Sequence, residues 1–214
     1  MLKQRLISAL ILSIGIVALI FALPSEYLIY FILLLTCISL IEFLSLRFSN
    51  ISILLFVCFS LFLFYFSSFP GLNKVIIGLS VITYSGLFFL IISFPVSKPL
   101  IQRNLIWLIS GITIHVGFFA SLYFLINQDG PALLYFGMDI TNRVALLIMV
   151  FISVLMDSLA FFGGKKFGQS KLLLNVSPNK TVEGFLIAMV FTPLVILLLT
   201  FSLIEKNFYQ FIIL

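Results

Sequence analysis

The chain has 214 residues, of which 63% are hydrophobic and only 9% charged, and it carries a net charge of +5. A soluble domain spends about a quarter of its residues on charge, so water is excluded as the main solvent. The basic residues lie in short connections between apolar runs, where membrane orientation explains them better than nucleic acid does.

A hydrocarbon core about 30 Å thick is crossed by roughly 20 apolar residues in helical form. Seven runs meet that requirement: Leu6 to Leu23, Tyr27 to Leu46, Ile51 to Phe69, Val75 to Val96, Leu105 to Ile126, Val144 to Phe162 and Phe185 to Ile204. None shows the alternating polarity of a membrane barrel strand, so the expectation is an all-α, polytopic transmembrane helix bundle of about seven spans, with residues 1–214 as a single integral membrane domain.

The first run follows Lys3 and Arg5 but is long and has no clear small-residue cleavage site, so it is read as a span and not as a signal peptide. Cys37 and Cys58 fall inside spans and read as small apolar filler, not as a disulfide or metal pair. Glu42, near the end of the second span, is an acid that must face the bundle or the interface. His115 lies in the middle of the fifth span without an acidic neighbour in sequence, which favours an interhelical hydrogen bond over a proton relay. The abundant phenylalanines are assigned to lipid contact and packing.

Most connections are simple turns: Pro24 to Glu26, Arg47 to Asn50, Pro70 to Lys74 and Ser97 to Asn104. Asn127 to Asn142 is longer, contains the turn signal Asp129-Gly130-Pro131, and is expected to be a surface loop. With a cytoplasmic amino terminus, that side receives Lys3, Arg5, Arg47, Lys98, Arg103, Lys165, Lys166, Lys171 and Lys180, against Lys74, Arg143 and Lys206 on the other. This asymmetry supports the orientation. The sequons at Asn50 and Asn179 then face the cytoplasm and stay unglycosylated.

The segment 157–184 stands apart. Asp157 ends the apolar stretch Phe151 to Met156 and is costly there unless it meets a partner, water or a metal. Beyond it come Lys165, Lys166, Lys171, Lys180 and Glu183. Ser177 reads as a helix N-cap with Pro178 at the first helical position, so amides near Asn179 and Lys180 would meet an anion at the positive end of a helix. Lys180 and Thr181 add a charge and a hydroxyl, and Asp157 opposite them would hold a divalent metal. Such a set suits phosphoryl or nucleotidyl transfer. The competing reading is a lysine loop shaped only by the positive-inside rule and by anionic lipid. Gly163, Gly168 and Ser170 imitate a phosphate-binding P-loop, but Gln169 stands where its lysine belongs and an apolar span precedes it, so that reading is rejected.

The run Asp157-Ser158-Leu159-Ala160-Phe161-Phe162-Gly163, then Phe167-Gly168, Lys171-Leu172 and Ser177-Pro178-Asn179-Lys180-Thr181-Val182-Glu183-Gly184, resembles the phosphatidate cytidylyltransferase family. That family has an Asp-Ser/Thr start, a Phe-Gly-Lys-x-Lys-Leu loop and a Ser-Pro-x-Lys-Thr-x-Glu-Gly helix opening, from which Gln169 is the clear departure. The resemblance implies an enzyme that makes CDP-diacylglycerol and pyrophosphate from CTP and phosphatidic acid, with Mg2+, at the cytoplasmic face of a bacterial inner membrane. It implies Asp157 and Lys180 as catalytic residues, with Asp157 also on the metal. Ser158, Lys165, Lys166, Lys171, Ser177, Pro178, Thr181 and Glu183 would bind substrate. The family's further signature, with Lys-Asp and Asp-Arg-x-Asp, does not follow Gly184 within these residues, so the 214 residues alone are expected to catalyse poorly. A CTP-dependent lipid kinase and a non-catalytic, lipid-binding membrane protein are the alternatives. A homodimer is compatible with the pattern, though no interface motif establishes it.

Overall fold

The structure is a computed structural model and describes residues 13–128, 133–135 and 138–213. Helices dominate: α1 (Ser13–Ala22), α2 (Ser25–Ser45), α3 (Asn50–Phe66), α4 (Pro70–Ile92), the short α5 (Lys98–Ile101), α6 (Asn104–Asn127), α7 (Asn142–Phe167) and α8 (Val182–Ile213). Their boundaries follow local chemistry. Pro70 opens α4 at a position whose amide has no intrahelical partner, and Pro24 sits just before α2 with Glu26 in its first turn.

Five of these helices are long and apolar enough to cross a membrane: α2, α4, α6, α7 and the Val182–Leu199 part of α8. The chain is thus a helical membrane protein. The expected count of about seven is only partly met, because α1 and α3 are apolar but shorter. At 17 residues, α3 rises about 26 Å. Residues 6–12 of the first run lie outside the described residues.

Two short hairpins interrupt the all-α expectation. The connection from Asn127 to Asn142 is not a plain loop: β1 (Leu133–Tyr135) pairs antiparallel with β2 (Met138–Ile140), Leu133 opposite Ile140. The expected Asp129-Gly130-Pro131 turn lies outside the described residues. The second hairpin joins β3 (Lys171–Leu173) to β4 (Ser177–Thr181), Lys171 opposite Thr181 and Leu173 opposite Ser177, with an irregularity in register between the two pairs. The Ser97 to Asn104 connection also differs from a simple turn, since it contains α5.

The chain divides into two compact units, residues 1–132 with 141–146 and residues 133–140 with 147–214. In the first unit, α6 is the central helix. Its Ile112, Val116 and Phe119 pack with Phe64 of α3, while Leu40 and Leu44 of α2, both 0% exposed, pack with Ile53 of α3. Lipid tails are as apolar as leucine, so close packing and interhelical hydrogen bonds hold membrane helices together where the hydrophobic effect does not. Gly117 of α6 accordingly lies against Ser80 of α4 with no space for a Cβ. Asn73 of α4, 2% exposed, donates to the carbonyls of Ser67 (2.8 Å) and Ala120 (3.1 Å).

His115 makes the interhelical hydrogen bond expected of it. Its Nδ1 lies 2.7 Å from the Gly111 carbonyl, which can only accept, so Nδ1 carries the proton and Nε2 accepts from the Ser39 hydroxyl of α2 at 3.1 Å. At the nearby end of α2, Arg47 donates to Asn104 Oδ1 (2.6 Å) and to the Gln102 carbonyl, which ties the α2 end to the start of α6. Glu42 is solvent- or lipid-exposed on α2 instead of facing the packed interior of this unit.

Candidate functional site

The second unit holds the polar segment. With 26 residues, α7 spans about 39 Å at 1.5 Å per residue, more than the roughly 30 Å of a hydrocarbon core. It runs through Gly163 and Gly164 to Phe167, so Lys165 and Lys166 belong to its last turn and not, as expected, to a loop. A last-turn lysine is favourable beside the negative end of the helix dipole. Only Gly168, Gln169 and Ser170 separate the helix from β3.

A second correction concerns Ser177 and Pro178. They do not open a helix: Ser177 begins β4, Pro178 lies within that strand, and α8 starts at Val182. Pairing with β3 has overridden the local N-cap signal. Thr181 is the cap instead, its Oγ1 accepting the Gly184 N–H at 3.2 Å. The Val182 amide donates to the Ser170 carbonyl at 3.0 Å. The helix-end amides are therefore partly used by the protein, and the amides of Asn179 and Lys180 are strand amides.

Asp157, Ala160, Phe161, Gly164 and Lys165 recur at helical spacing along one face of α7. That face, the hairpin, and Phe185 and Ala188 of α8 enclose a cleft of about 680 Å³. Of the residues expected from sequence, Asp157, Lys165, Ser177, Lys180 and Thr181 line it together. A carboxylate, two ammonium groups, two hydroxyls and the amide of Asn179 thus share one space, against apolar Met156, Phe161, Leu172 and Phe185.

Five expected residues are not among its lining. Ser158 donates its hydroxyl to the Val154 carbonyl at 2.7 Å, within α7. Lys166 places its Nζ 5.3 Å from the centroid of the Phe167 ring. Lys171 and Pro178 are exposed on the hairpin. Glu183 accepts the backbone N–H of Gln169 at 3.0 Å and that of Ser170 at 3.0 and 3.2 Å. Asn179, by contrast, lines the cleft without having been singled out, because it occupies the variable place of the Ser-Pro-x-Lys-Thr pattern. The apolar wall had a readable signal in the i+3 and i+4 positions after Asp157.

Glycine shapes the site through close approach. A Cβ at Gly184 would lie 2.5 Å from the Ala160 carbonyl oxygen, and one at Gly164 would lie 2.7 Å from Thr181 Oγ1. Backbone and a cap hydroxyl stand where side chains would be, so only glycine lets α8 start this close to α7.

The fold and cleft define a membrane protein of helices in which a mixed-charge pocket opens beside apolar side chains. A family model described as the cytidylyltransferase family matches residues 3–214, and the chain belongs to that family. Its chemistry is CTP-dependent nucleotidyl transfer. No curated protein and no solved structure matches the chain.

Proposed function

We propose that the protein is a phosphatidate cytidylyltransferase, which transfers CMP from CTP to phosphatidic acid and releases pyrophosphate, in phospholipid biosynthesis. The observation that carries this reading is the shared cleft: Asp157, Lys165 and Lys180 meet there beside Met156, Phe161 and Phe185. A nucleoside triphosphate needs cations, and a glycerolipid needs an apolar flank; both are lining residues of one space. An oxygen of the phosphatidate phosphate forms a bond to the α-phosphorus of CTP, and the bond from that phosphorus to the bridging oxygen breaks, with pyrophosphate taking the electron pair.

Both reactants are anions, so most of the work is to hold them together and neutralise their charge. Lys165 and Lys180 do this electrostatically, while Ser177 and Asn179 hold phosphate or sugar oxygens by hydrogen bonds. The Thr181 oxygen accepts the Gly184 amide and still leaves its own proton free to donate into the cleft.

Mg2+ fits this donor set in one way only. Among the described residues, no cluster of three histidine, cysteine or acidic side chains forms a cage. Asp157, with the neutral oxygens of Ser177, Asn179 and Thr181, suits a cation shared with nucleotide phosphates, since magnesium is often held by one or two carboxylates plus substrate. Asp157 would hold it, and the ion would supply neutralisation at the transferring phosphorus.

The basic-residue asymmetry supports a cytoplasmic amino terminus and cleft; the bacterial inner membrane, with α1 and α3 completing seven spans, belongs to the family reading. A homodimer belongs to the same reading.

The test supplies the purified chain in mixed micelles with phosphatidic acid, Mg2+ and CTP labelled at either the α- or the γ-phosphate. Label entering lipid from the α position, with pyrophosphate released, supports the reading. Transfer from the γ position identifies a lipid kinase. No transfer together with no CTP binding leaves a non-catalytic membrane protein and overturns it.

A further inference from the structure

The family resemblance groups Glu183 with the substrate ligands, but its hydrogen bonds assign it elsewhere. It stands in the first turn of α8, is absent from the cleft lining, and uses both carboxylate oxygens on backbone donors: Oε2 on Gln169 at 3.0 Å, and Oε1 and Oε2 on Ser170 at 3.0 and 3.2 Å. The neighbouring Val182 amide donates to the Ser170 carbonyl at 3.0 Å, so Ser170 is held from both sides of its backbone.

The segment that is held is the short link between the two halves of the cleft. On one side is α7, with Asp157 and Lys165; on the other is the β3–β4 hairpin, with Ser177, Asn179 and Lys180. Gly168 begins the link, and a Cβ there would lie 2.7 Å from Thr181 Cγ2, so the link runs close against the cap of α8. Outward movement would break the bonds to Glu183. Charged acceptors make hydrogen bonds roughly twice as strong as neutral ones, which suits a carboxylate to this task.

We propose that Glu183 is a positioning residue: by binding the Gln169 and Ser170 amides it fixes the β3–β4 hairpin against α7, so that Lys180 and Asn179 face Asp157, and it touches no substrate itself. The consequence for catalysis rests on the cytidylyltransferase reading, but the clamp does not.

Two variants of the full chain in detergent test it, Glu183→Ala and Glu183→Gln, the latter keeping one acceptor oxygen. Amide hydrogen exchange without nucleotide is expected to rise about tenfold over residues 168–181 in Glu183→Ala and less in Glu183→Gln, with α4 and α6 unchanged. Under the activity assay, KM for CTP is expected to rise about tenfold in Glu183→Ala, with kcat at saturating CTP within about threefold of the parent, because bound nucleotide re-seats the hairpin. Unchanged exchange at residues 168–181 overturns the clamp. So does an equal loss of kcat in both variants without a change in KM, the pattern of a group that touches the reacting atoms. If Glu183→Ala exchanges everywhere, it has unfolded and Glu183→Gln decides by the same criteria. If the parent makes no CDP-lipid, the activity reading fails and the exchange measurement alone decides the clamp.

Discussion

Gly184 and Gly164 meet so closely that a Cβ placed on Gly184 would lie 2.9 Å from both the amide nitrogen and the Cα of Gly164. Backbone meets backbone there, so neither partner can yield by changing a rotamer. The first turn of α8 is therefore seated on the last turns of α7 by the absence of side chains, and the cleft beside it inherits that spacing.

Replacement of Gly184 by alanine should force the two helices apart. The expected cost is about 1–3 kcal/mol, read as a lower unfolding temperature in detergent, together with weakened CTP binding. Gly78→Ala in α4 is the control, since nothing lies within 4 Å of its Cβ position. It should be neutral or stabilising by up to about 1 kcal/mol. Equal destabilisation by both substitutions would refute the close-approach argument.

Asp157→Asn keeps the shape of the side chain and removes its charge. Formation of CDP-lipid is expected to fall by about 100-fold or more, whereas Ser158→Ala should stay within about threefold of the parent, because that hydroxyl is already bonded to Val154. A Ser158→Ala enzyme as impaired as Asp157→Asn would reverse these assignments.

The four lysines of the segment should separate into two pairs. Lys165→Met and Lys180→Met should each weaken CTP binding by about tenfold to a hundredfold, since both line the cleft. Lys166→Met and Lys171→Met should change it by less than about threefold, as expected of exposed charges screened by salt. Titration of CTP into each variant at fixed ionic strength reads the difference, and four equal losses would mean that a general basic surface attracts the nucleotide.

Ser39→Ala removes the hydroxyl that His115 Nε2 accepts from. Membrane interhelical hydrogen bonds average about 0.6 kcal/mol and reach about 1.7 kcal/mol, so a modest loss of thermal stability is expected, with CTP binding unchanged. Loss of transfer activity at unchanged stability would instead give His115 a part in the chemistry.

The membrane class, the apolar helices and the chemical character of segment 157–184 were all legible in the residues. Apolar runs of spanning length need no tertiary contact to be read. Asp157 stood out as an acid at the end of an apolar run, and the charges of segment 157–184 marked it as the polar part of the chain, but the place of Lys165 on the same helical face came from the structure. The β3–β4 hairpin was not legible. Strands of three and five residues carry no dependable period, and Ser177-Pro178 fits a helix start as readily as a strand.

Tertiary structure made the decisive choices. Gly163 and Gly164 weaken a helix in isolation, yet α7 continues through them because α8 packs against that surface. The sequence offered Ser177 as the cap of α8, whereas hairpin pairing and the Glu183 bonds accompany a start four residues later, capped by Thr181. Sequence alone therefore determined the solvent, the helices and, through its match to the cytidylyltransferase family, the class of protein. Which side chains line the cleft, and that Glu183 bonds to the backbone of Gln169 and Ser170, followed only from contacts between segments, because close approach and hydrogen-bond reach are properties of distance in space and not of order along the chain.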